Sequence, residues 1–137
     1  MPPFVVRDAG LLQATLAQPY QQFNDRDLYR SVVAKAGCLF RGLIKNHPLV
    51  DGNKRVAVTT TTTFLLLNGY RLTASNNEIR DYALRVARHR GEYSIAAITR
   101  WFSKRCELVG DAARQQQRKR NEAIKRSLPP IDRLFTD

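Results

Sequence analysis

The sequence predicts an all-α protein, and three observations lead to this fold class. Apolar residues recur at three- and four-residue steps over long stretches, as on the buried faces of amphipathic helices. Capping and helix-stop residues separate these stretches. No segment of alternating polarity is long enough for a real sheet. With 137 residues, 43% of them hydrophobic, the chain can bury one core of ordinary size.

The first half of the chain predicts two helices separated by a loop. Asp8 is placed to cap a first helix over "AGLLQATLAQ", which Pro19 ends. The next stretch, "PYQQFNDRDLY", is polar with scattered aromatic residues and predicts a loop. An apolar stripe then runs from Leu28 to Ile44, which indicates a core-facing helix. This helix must end before His47, because a proline follows that residue and disfavours helical geometry in it.

A further central helix is predicted from Gly52 or Asn53 to Asn68, where an Asn-Gly pair provides a left-handed stop signal. Its run of five threonines, Thr59–Thr63, costs roughly 2–3 kcal/mol of helix propensity relative to alanine. The run alone favours a strand, but burial overrides propensity and the flanking signals fit the ends of a helix. We therefore predict a helix here.

The second half of the chain predicts two shorter helices. Ser75 and Glu78 match the capping-box pattern and open a helix that continues to about Arg88. Ser94 is placed to cap the next helix, over "IAAITRWFSKR". These signals extend the predicted helical domain to residue 105.

Residues 1–105 are predicted to form one domain, and residues 106–137 a basic extension of unknown role. In the extension, "GDAARQQQRKRNEAIKR" predicts a solvated helix and "SLPPIDRLFTD" an irregular tail. The net charge is +11, and residues 1–105 carry most of it, with 16 Lys and Arg against 7 Asp and Glu. The excess charge favours anionic partners such as phosphates, acidic proteins or nucleic acid.

Several classes of protein are not favoured. No apolar stretch approaches the ~20 residues needed to span a bilayer, and the first ten residues lack the pattern of a signal peptide. We therefore expect a cytoplasmic protein with no membrane partner. Cys38 and Cys106 are isolated from each other and from histidines, so we expect a core thiol and a surface thiol, with neither a disulfide nor a zinc site.

The stretch "HPLVDGNKR", from His47 to Arg55, concentrates polar chemistry where a helix is predicted to begin. The first turn of a helix has unpaired amides and the positive end of the helix dipole, and so attracts phosphate. Gly52 permits close approach to the backbone, Asn53 can donate through its amide, and Lys54 and Arg55 add positive charge. These four residues are the candidate phosphate-binding residues.

The remaining polar residues of the stretch suggest catalysis. Asp51 would repel a phosphate unless a cation lay between them, and Mg²⁺ prefers such a combination of carboxylate and phosphate oxygens. Histidine ionises near neutral pH, so His47 is a candidate general base for a hydroxyl nucleophile. Taken singly, each residue also fits a structural role: Asp51 could cap the helix, Gly52 could serve the turn, and the cations could be solvated.

The whole stretch resembles the signature of the Fic/Doc family, and specifically of its Doc (death-on-curing) toxin branch. The usual Fic pattern has a glycine where Doc-type chains, and this chain at Lys54, have a lysine. The segments "RDAGLLQATLAQP", "FNDRDLY", "GLIKNHP" and "FLLLNGYRLTAS" also resemble their Doc counterparts in the same order. The resemblance covers about residues 4–105.

The resemblance implies a Fic-type helical fold and a protein kinase. Doc toxins transfer the γ-phosphate of ATP to a threonine of elongation factor Tu and so inhibit translation. By position, His47 would be the base and Asp51 the Mg²⁺ ligand. Gly52, Asn53, Lys54 and Arg55 would hold the phosphates of ATP. The loop from Gln22 to Asp27 would correspond to the flap that aligns the target chain.

One departure from the family lies inside the motif. The family's phenylalanine is replaced by Leu49, which with Pro48 would support the motif loop from the core. The self-inhibitory Fic pattern, Ser/Thr-x-x-x-Glu-Gly/Asn, is not found in the sequence. The resemblance therefore implies inhibition by a partner, a cognate antitoxin.

Two alternative functions remain open from the sequence. The first is an ordinary Fic-type protein adenylyltransferase, which transfers AMP. The second is a catalytically silent binding module whose basic surface holds nucleic acid, a partner that we favour less because the motif is intact. The identity of the phosphate that is transferred separates the two enzymes.

Overall fold

The computed structural model describes residues 5–127, and within them side-chain caps fix where four helices begin. The cap residues are Asp8, Ser31, Ser75 and Ser94, and each accepts a hydrogen bond from the amide three residues further on. They open α1 (Ala9–Ala17), α2 (Val32–Lys45), α4 (Asn76–Arg88) and α5 (Ile95–Ser103). The predicted capping box is confirmed, since Glu78 also bonds back to the Ser75 amide.

The predicted central helix over the threonine run is also confirmed. It is α3 (Asn53–Leu67), preceded by Gly52 as the N-cap. Gly52 has φ 81°, a left-handed conformation that glycine adopts without steric cost. Thr61 and Leu65 are fully buried, whereas Thr59 and Thr63 are exposed. Packing of one face of α3 on the core therefore stabilises the helix despite the weak propensity of the threonines.

The core is organised around α2, which packs on α3, on α5 and, less extensively, on α1 and α4. Phe40 lies at its centre and stacks on Tyr82 of α4 with ring centroids 6.0 Å apart. Phe40 also meets Phe102 of α5 edge-on at 5.2 Å. One member of the predicted stripe was wrong: Leu28 lies before the helix and is 52% exposed, because α2 starts only at Val32.

Two short antiparallel strand pairs interrupt the helices. The first, β1 (Gln22–Phe23) with β2 (Arg26–Asp27), lies in the stretch predicted to be a loop. That prediction was wrong, because strands of two residues each leave no pattern of alternating polarity in the sequence. Both turn residues, Asn24 and Asp25, have positive φ (51° and 61°). This is the turn geometry that closes a two-residue hairpin, and Asn and Asp tolerate it better than most residues. A short 3₁₀ helix, Gln18–Tyr20, precedes the hairpin.

The second strand pair joins β3 (Tyr70–Leu72) to β4 (Cys106–Leu108). It crosses the predicted boundary between residues 105 and 106, so the first residues of the extension pair with the helical domain. Cys106 packs against the core and is half-buried, which differs from the expected surface thiol. This burial raises the pKa of the Cys106 thiol to about 11.

The last described element is α6 (Gly110–Ser127), which matches the solvated helix predicted for the extension. Most of its described side chains are exposed. The predicted irregular tail lies almost entirely beyond the described residues. From residue 5 to residue 127, none of the helices combines the length and the apolar character needed to cross a membrane.

Candidate active site

The motif loop, residues 46–52, connects the end of α2 to the start of α3. Asn46 closes α2 in a helical conformation, and His47 then turns the chain with φ 49°. Such left-handed geometry is uncommon for a residue other than glycine and persists only where surrounding contacts hold it. The contacts around His47 therefore indicate how the loop is stabilised.

A long-range contact from Arg7 holds the backbone at this turn. Its Nε donates to the carbonyl oxygen of His47 at 2.7 Å, and its Nη2 donates to that of Asn46 at 3.1 Å. These carbonyls lie at the C-terminal end of α2, where unpaired acceptors and the negative end of the helix dipole favour a cation. Arg7 thus stabilises both the helix end and the turn.

The N-terminal segment of the chain adds a second restraint. Val6 pairs with Leu49 in an isolated antiparallel bridge, and the Val50 amide donates to the Val5 carbonyl at 2.9 Å. The Pro48 carbonyl accepts from the amide of Arg7 at 2.9 Å. These contacts were not predicted, and the only sequence signal for them was the apolar pair of valines before the first helix cap.

The two predicted support residues of the loop point inward. Pro48 is fully buried, and Leu49 is 5% exposed. Leu49 therefore occupies the interior, as expected for the residue at the family's phenylalanine position. The smaller side chain is accommodated within a loop that Arg7 and the N-terminal segment hold from the other side.

The carboxamide of Asn53 ties the start of α3 to the loop. Its Oδ1 accepts from the Leu49 amide at 3.0 Å, and its Nδ2 donates to the Leu49 carbonyl at 3.0 Å. The same Nδ2 lies 3.4 Å from Nδ1 of His47. Asn53 is 8% exposed, so these contacts give it a supporting role, and its predicted role in phosphate binding stays a prediction.

The other candidate side chains are exposed at the surface. His47, Asp51, Lys54 and Arg55 are all exposed, while Gly52 is partly covered. Gly52, the N-cap residue of α3, has no side chain that could cap the helix. The loop thus brings an imidazole, a carboxylate and two cations to an uncapped helix N-terminus, an arrangement suited to a phosphate-bearing ligand.

The residues present fit Mg²⁺ only if the ion is also bound by the phosphates of a nucleotide. Within the described part of the chain, no group of three or more His, Cys, Asp and Glu could hold a metal ion. Mg²⁺ is commonly bound through one or two carboxylates together with substrate phosphates. Asp51, the only carboxylate in the motif loop, matches that donor set when a nucleotide supplies the other oxygens.

The hairpin Gln22–Asp27 lies at the surface and has fewer restraints. The Gln22 amide donates to Asp27 Oδ1 at 3.1 Å, and Lys35 of α2 forms an ion pair with Asp27 Oδ2, also at 3.1 Å. The hydrogen bond from Gln22, followed by that from Lys35, lowers the pKa of the Asp27 carboxyl. Phe23 is 68% exposed. The flap role predicted for this segment stays a prediction.

Comparisons with known proteins bear on the N-terminal half of the chain. The family model described as "Fic/DOC family" matches residues 3–65. This segment contains α1, the hairpin, α2, the motif loop and nearly all of α3. The match to this family model confirms the resemblance that was predicted from the sequence.

A relative specifies the branch of the family. The chain is 46% identical over 69 residues to the protein named Toxin Doc of Mycolicibacterium smegmatis, which supports the Doc branch. The match covers 50% of this chain and 53% of the relative, so the chain spans about half the length of that protein. No solved structure matches the chain.

Proposed function

We propose that the protein is the toxin of a toxin–antitoxin module and an ATP-dependent protein kinase. Its target would be a Thr or Ser hydroxyl of a translation factor resembling elongation factor Tu, and the result would be inhibition of translation in the cytoplasm. The observation that carries this proposal is the exposed set of His47, Asp51, Lys54 and Arg55 around the uncapped start of α3. The similarity to Toxin Doc supports the toxin role and a cognate antitoxin as partner.

Each side chain has a chemical role in the proposed reaction. His47 accepts the proton of the target hydroxyl as its oxygen attacks the γ-phosphorus of ATP, and the bond from that phosphorus to the β–γ bridging oxygen breaks to release ADP. Lys54 and Arg55, with the first amides of α3, bind the oxygens of the transferring phosphoryl group. Asp51 would hold Mg²⁺, which when bound supplies positive charge to the phosphates.

Lys54 favours γ-phosphate transfer over AMP transfer. In the Fic pattern, a glycine at this position leaves space at the helix start for the inner phosphates of ATP. Lys54 is exposed there and adds a long cationic side chain to that space. ATP that binds in the opposite direction presents its γ-phosphate to His47, and the cations can then stabilise the charge that develops on it.

AMP transfer is the second candidate function. It is supported by three features of this chain that match the Fic pattern: the turn at Gly52, the buried Asn53 and the exposed His47. Lys54 argues against it. A catalytically inactive module that binds nucleic acid is less favoured. Binding of nucleic acid alone does not require a candidate general base such as His47 beside the phosphate-binding residues.

Expression in bacterial cells tests the toxin role. We expect induction of the parent chain to stop growth and to lower amino-acid incorporation into protein. The His47→Ala variant should do neither, while His89→Ala, which removes the other exposed histidine, should behave like the parent. Arrest by His47→Ala as strong as that of the parent would contradict the proposal.

Label transfer into lysate proteins tests the kinase activity. The purified chain, γ-labelled ATP and Mg²⁺ should label a protein of the lysate on Thr or Ser, and His47→Ala should abolish this labelling. Absence of labelling by a parent chain that arrests growth would exclude a protein kinase that uses ATP.

A further inference from the structure

The contact between the side chains of Asn53 and His47 bears on where the imidazole of His47 carries its proton. The Leu49 amide can only donate, and the Leu49 carbonyl can only accept. Both lie 3.0 Å from the Asn53 carboxamide, one at Oδ1 and the other at Nδ2. This pairing fixes which end of the carboxamide is oxygen and which is nitrogen. The atom 3.4 Å from His47 Nδ1 is therefore the nitrogen of Asn53.

An amide nitrogen facing a ring nitrogen has a chemical consequence. Nδ2 of Asn53 carries two hydrogens: one is used by the Leu49 carbonyl, and the other is left for His47. A ring nitrogen accepts such a hydrogen only through a free lone pair. In the neutral imidazole, the proton is then on the other nitrogen, Nε2.

We propose that Asn53 is a positioning residue that holds neutral His47 in the tautomer protonated at Nε2. The assignment concerns the ring, whereas Arg7 acts on the carbonyl of the same residue. His47 is therefore restrained at two separate points, its backbone and its Nδ1. Asn53 can hold the ring in a fixed orientation because its own side chain is 8% exposed and bonded twice to Leu49.

The consequence for catalysis rests on the proposed function. With its proton at Nε2, the resting ring donates from that nitrogen and cannot accept the proton of a target hydroxyl there. Proton exchange with water, which removes the proton from Nε2 and delivers one to Nδ1, makes Nε2 a base. That exchange places N–H groups of His47 and Asn53 against each other, so the ring must move away from Asn53. The tautomer in which Nε2 is a base therefore forms only when the contact with Asn53 is broken.

Nitrogen-15 NMR of the labelled full chain measures this tautomer directly, at a pH where both histidines are neutral. His89 is exposed and its ring meets that of Tyr93 edge-on, with centroids 5.1 Å apart. It provides the reference for a ring whose nitrogens make no hydrogen bond to the described residues, with His89→Gln to assign its signals. We expect His47 in the parent to show a pyrrole-type Nε2 and a pyridine-type Nδ1 almost exclusively. His89 should show a mixture of the two tautomers.

Variants separate tautomer control from support of the loop. Asn53→Asp replaces the donor with a carboxylate that accepts from Nδ1–H, so the His47 tautomer should reverse. Arg7→Ala removes a restraint on the backbone of the loop and should leave the tautomer unchanged.

The proposal is overturned if the parent His47 shows Nδ1–H or the same mixture as His89, a result that does not depend on whether any variant folds. It is also overturned if folded Asn53→Asp keeps the parent tautomer. Because the spectra need no ATP or target, they can contradict this proposal while the kinase activity stands.

Discussion

The motif loop, residues 46–52, and the hairpin, residues 22–27, both follow buried or capped helical elements, yet they are built in different ways. The motif loop is held from three directions: by Arg7, by the N-terminal segment and by the buried Asn53. The hairpin is held mainly by its own turn and by Lys35, and it leaves Phe23 exposed. One segment is fixed by long-range contacts, and the other is shaped locally.

The difference fits the two roles that we propose for these segments, phosphoryl transfer for the motif loop and target binding for the hairpin. A site for phosphoryl transfer depends on exact placement of its groups, because misplacement of about 1 Å can cost 10²-fold in rate. A segment that contacts a protein target can adapt when the target binds. We therefore expect changes in the motif loop to alter turnover or folding, and changes in the hairpin to act mainly on target binding.

The largest effect should come from removal of the imidazole in the motif loop. We expect His47→Ala to lower label transfer by ~10²–10⁴-fold, the typical contribution of a general base. Its melting temperature should stay close to that of the parent, because the side chain is exposed. Phe23→Ala in the hairpin is the matched variant and should mainly raise the KM for the protein target. An equal loss of turnover in both variants would break the distinction between the two segments.

Removal of the metal should also stop transfer. Excess EDTA should abolish label transfer and added Mg²⁺ should restore it, because Asp51 is the only carboxylate of the loop and needs a cation to tolerate phosphate. Asp51→Ala should weaken the binding of Mg²⁺–ATP as measured by calorimetry. Asp25→Ala at the hairpin turn is the control and should bind like the parent. Full activity in EDTA would exclude Asp51 as a metal ligand for the reaction.

Deletion of a carboxamide compares the stability of the two segments. Asn53→Ala removes the buried side chain that pairs with the Leu49 amide and carbonyl, which should cost about 1–3 kcal/mol of unfolding free energy. Gln22→Ala removes a carboxamide that bonds to Asp27 at the surface and should change stability by no more than about 0.5 kcal/mol. Urea denaturation measures both. Similar losses for the two variants would show that the loop is not held more firmly than the hairpin.

Small effects of opposite sign should come from two buried threonines. Thr15 donates to the Leu11 carbonyl at 2.7 Å and accepts from Asn46, at the motif loop, at 3.0 Å. The hydroxyl of Thr61 is buried without a hydrogen-bond partner among the described residues. Thr15→Val should therefore destabilise by about 1 kcal/mol, and Thr61→Val should be neutral or stabilising by up to about 1 kcal/mol. The reverse order in thermal denaturation would contradict this interpretation.

The sequence predicted best what depends on neighbouring residues. Asp8, Ser75 and Ser94 were recognised as helix caps because a cap and its amide lie within four residues of each other. The end of α3 was predicted from an equally local signal, the Asn68-Gly69 pair. The candidate site was predicted as a set because its members are consecutive along the chain.

Long-range contacts were beyond these local signals. Arg7 reaches the His47 carbonyl across 40 residues, and nothing near Arg7 indicates this partner. The pairing of β3 with β4 likewise joins segments that are separated along the chain by α4 and α5. The hairpin was missed for a different reason: its strands are two residues each, too short for a pattern of alternating polarity to appear.

The most direct test of the proposed chemistry compares ATP labelled at the α position with ATP labelled at the γ position. Parallel reactions would contain the purified chain, Mg²⁺ and lysate, with His47→Ala as the inactive control and Lys54→Gly as the variant that restores the Fic residue. We expect the parent to transfer label only from γ-labelled ATP and to place it on a hydroxyl side chain, and we expect Lys54→Gly to lose this transfer. Transfer of label from α-labelled ATP by the parent would contradict the kinase proposal and identify the protein as an adenylyltransferase.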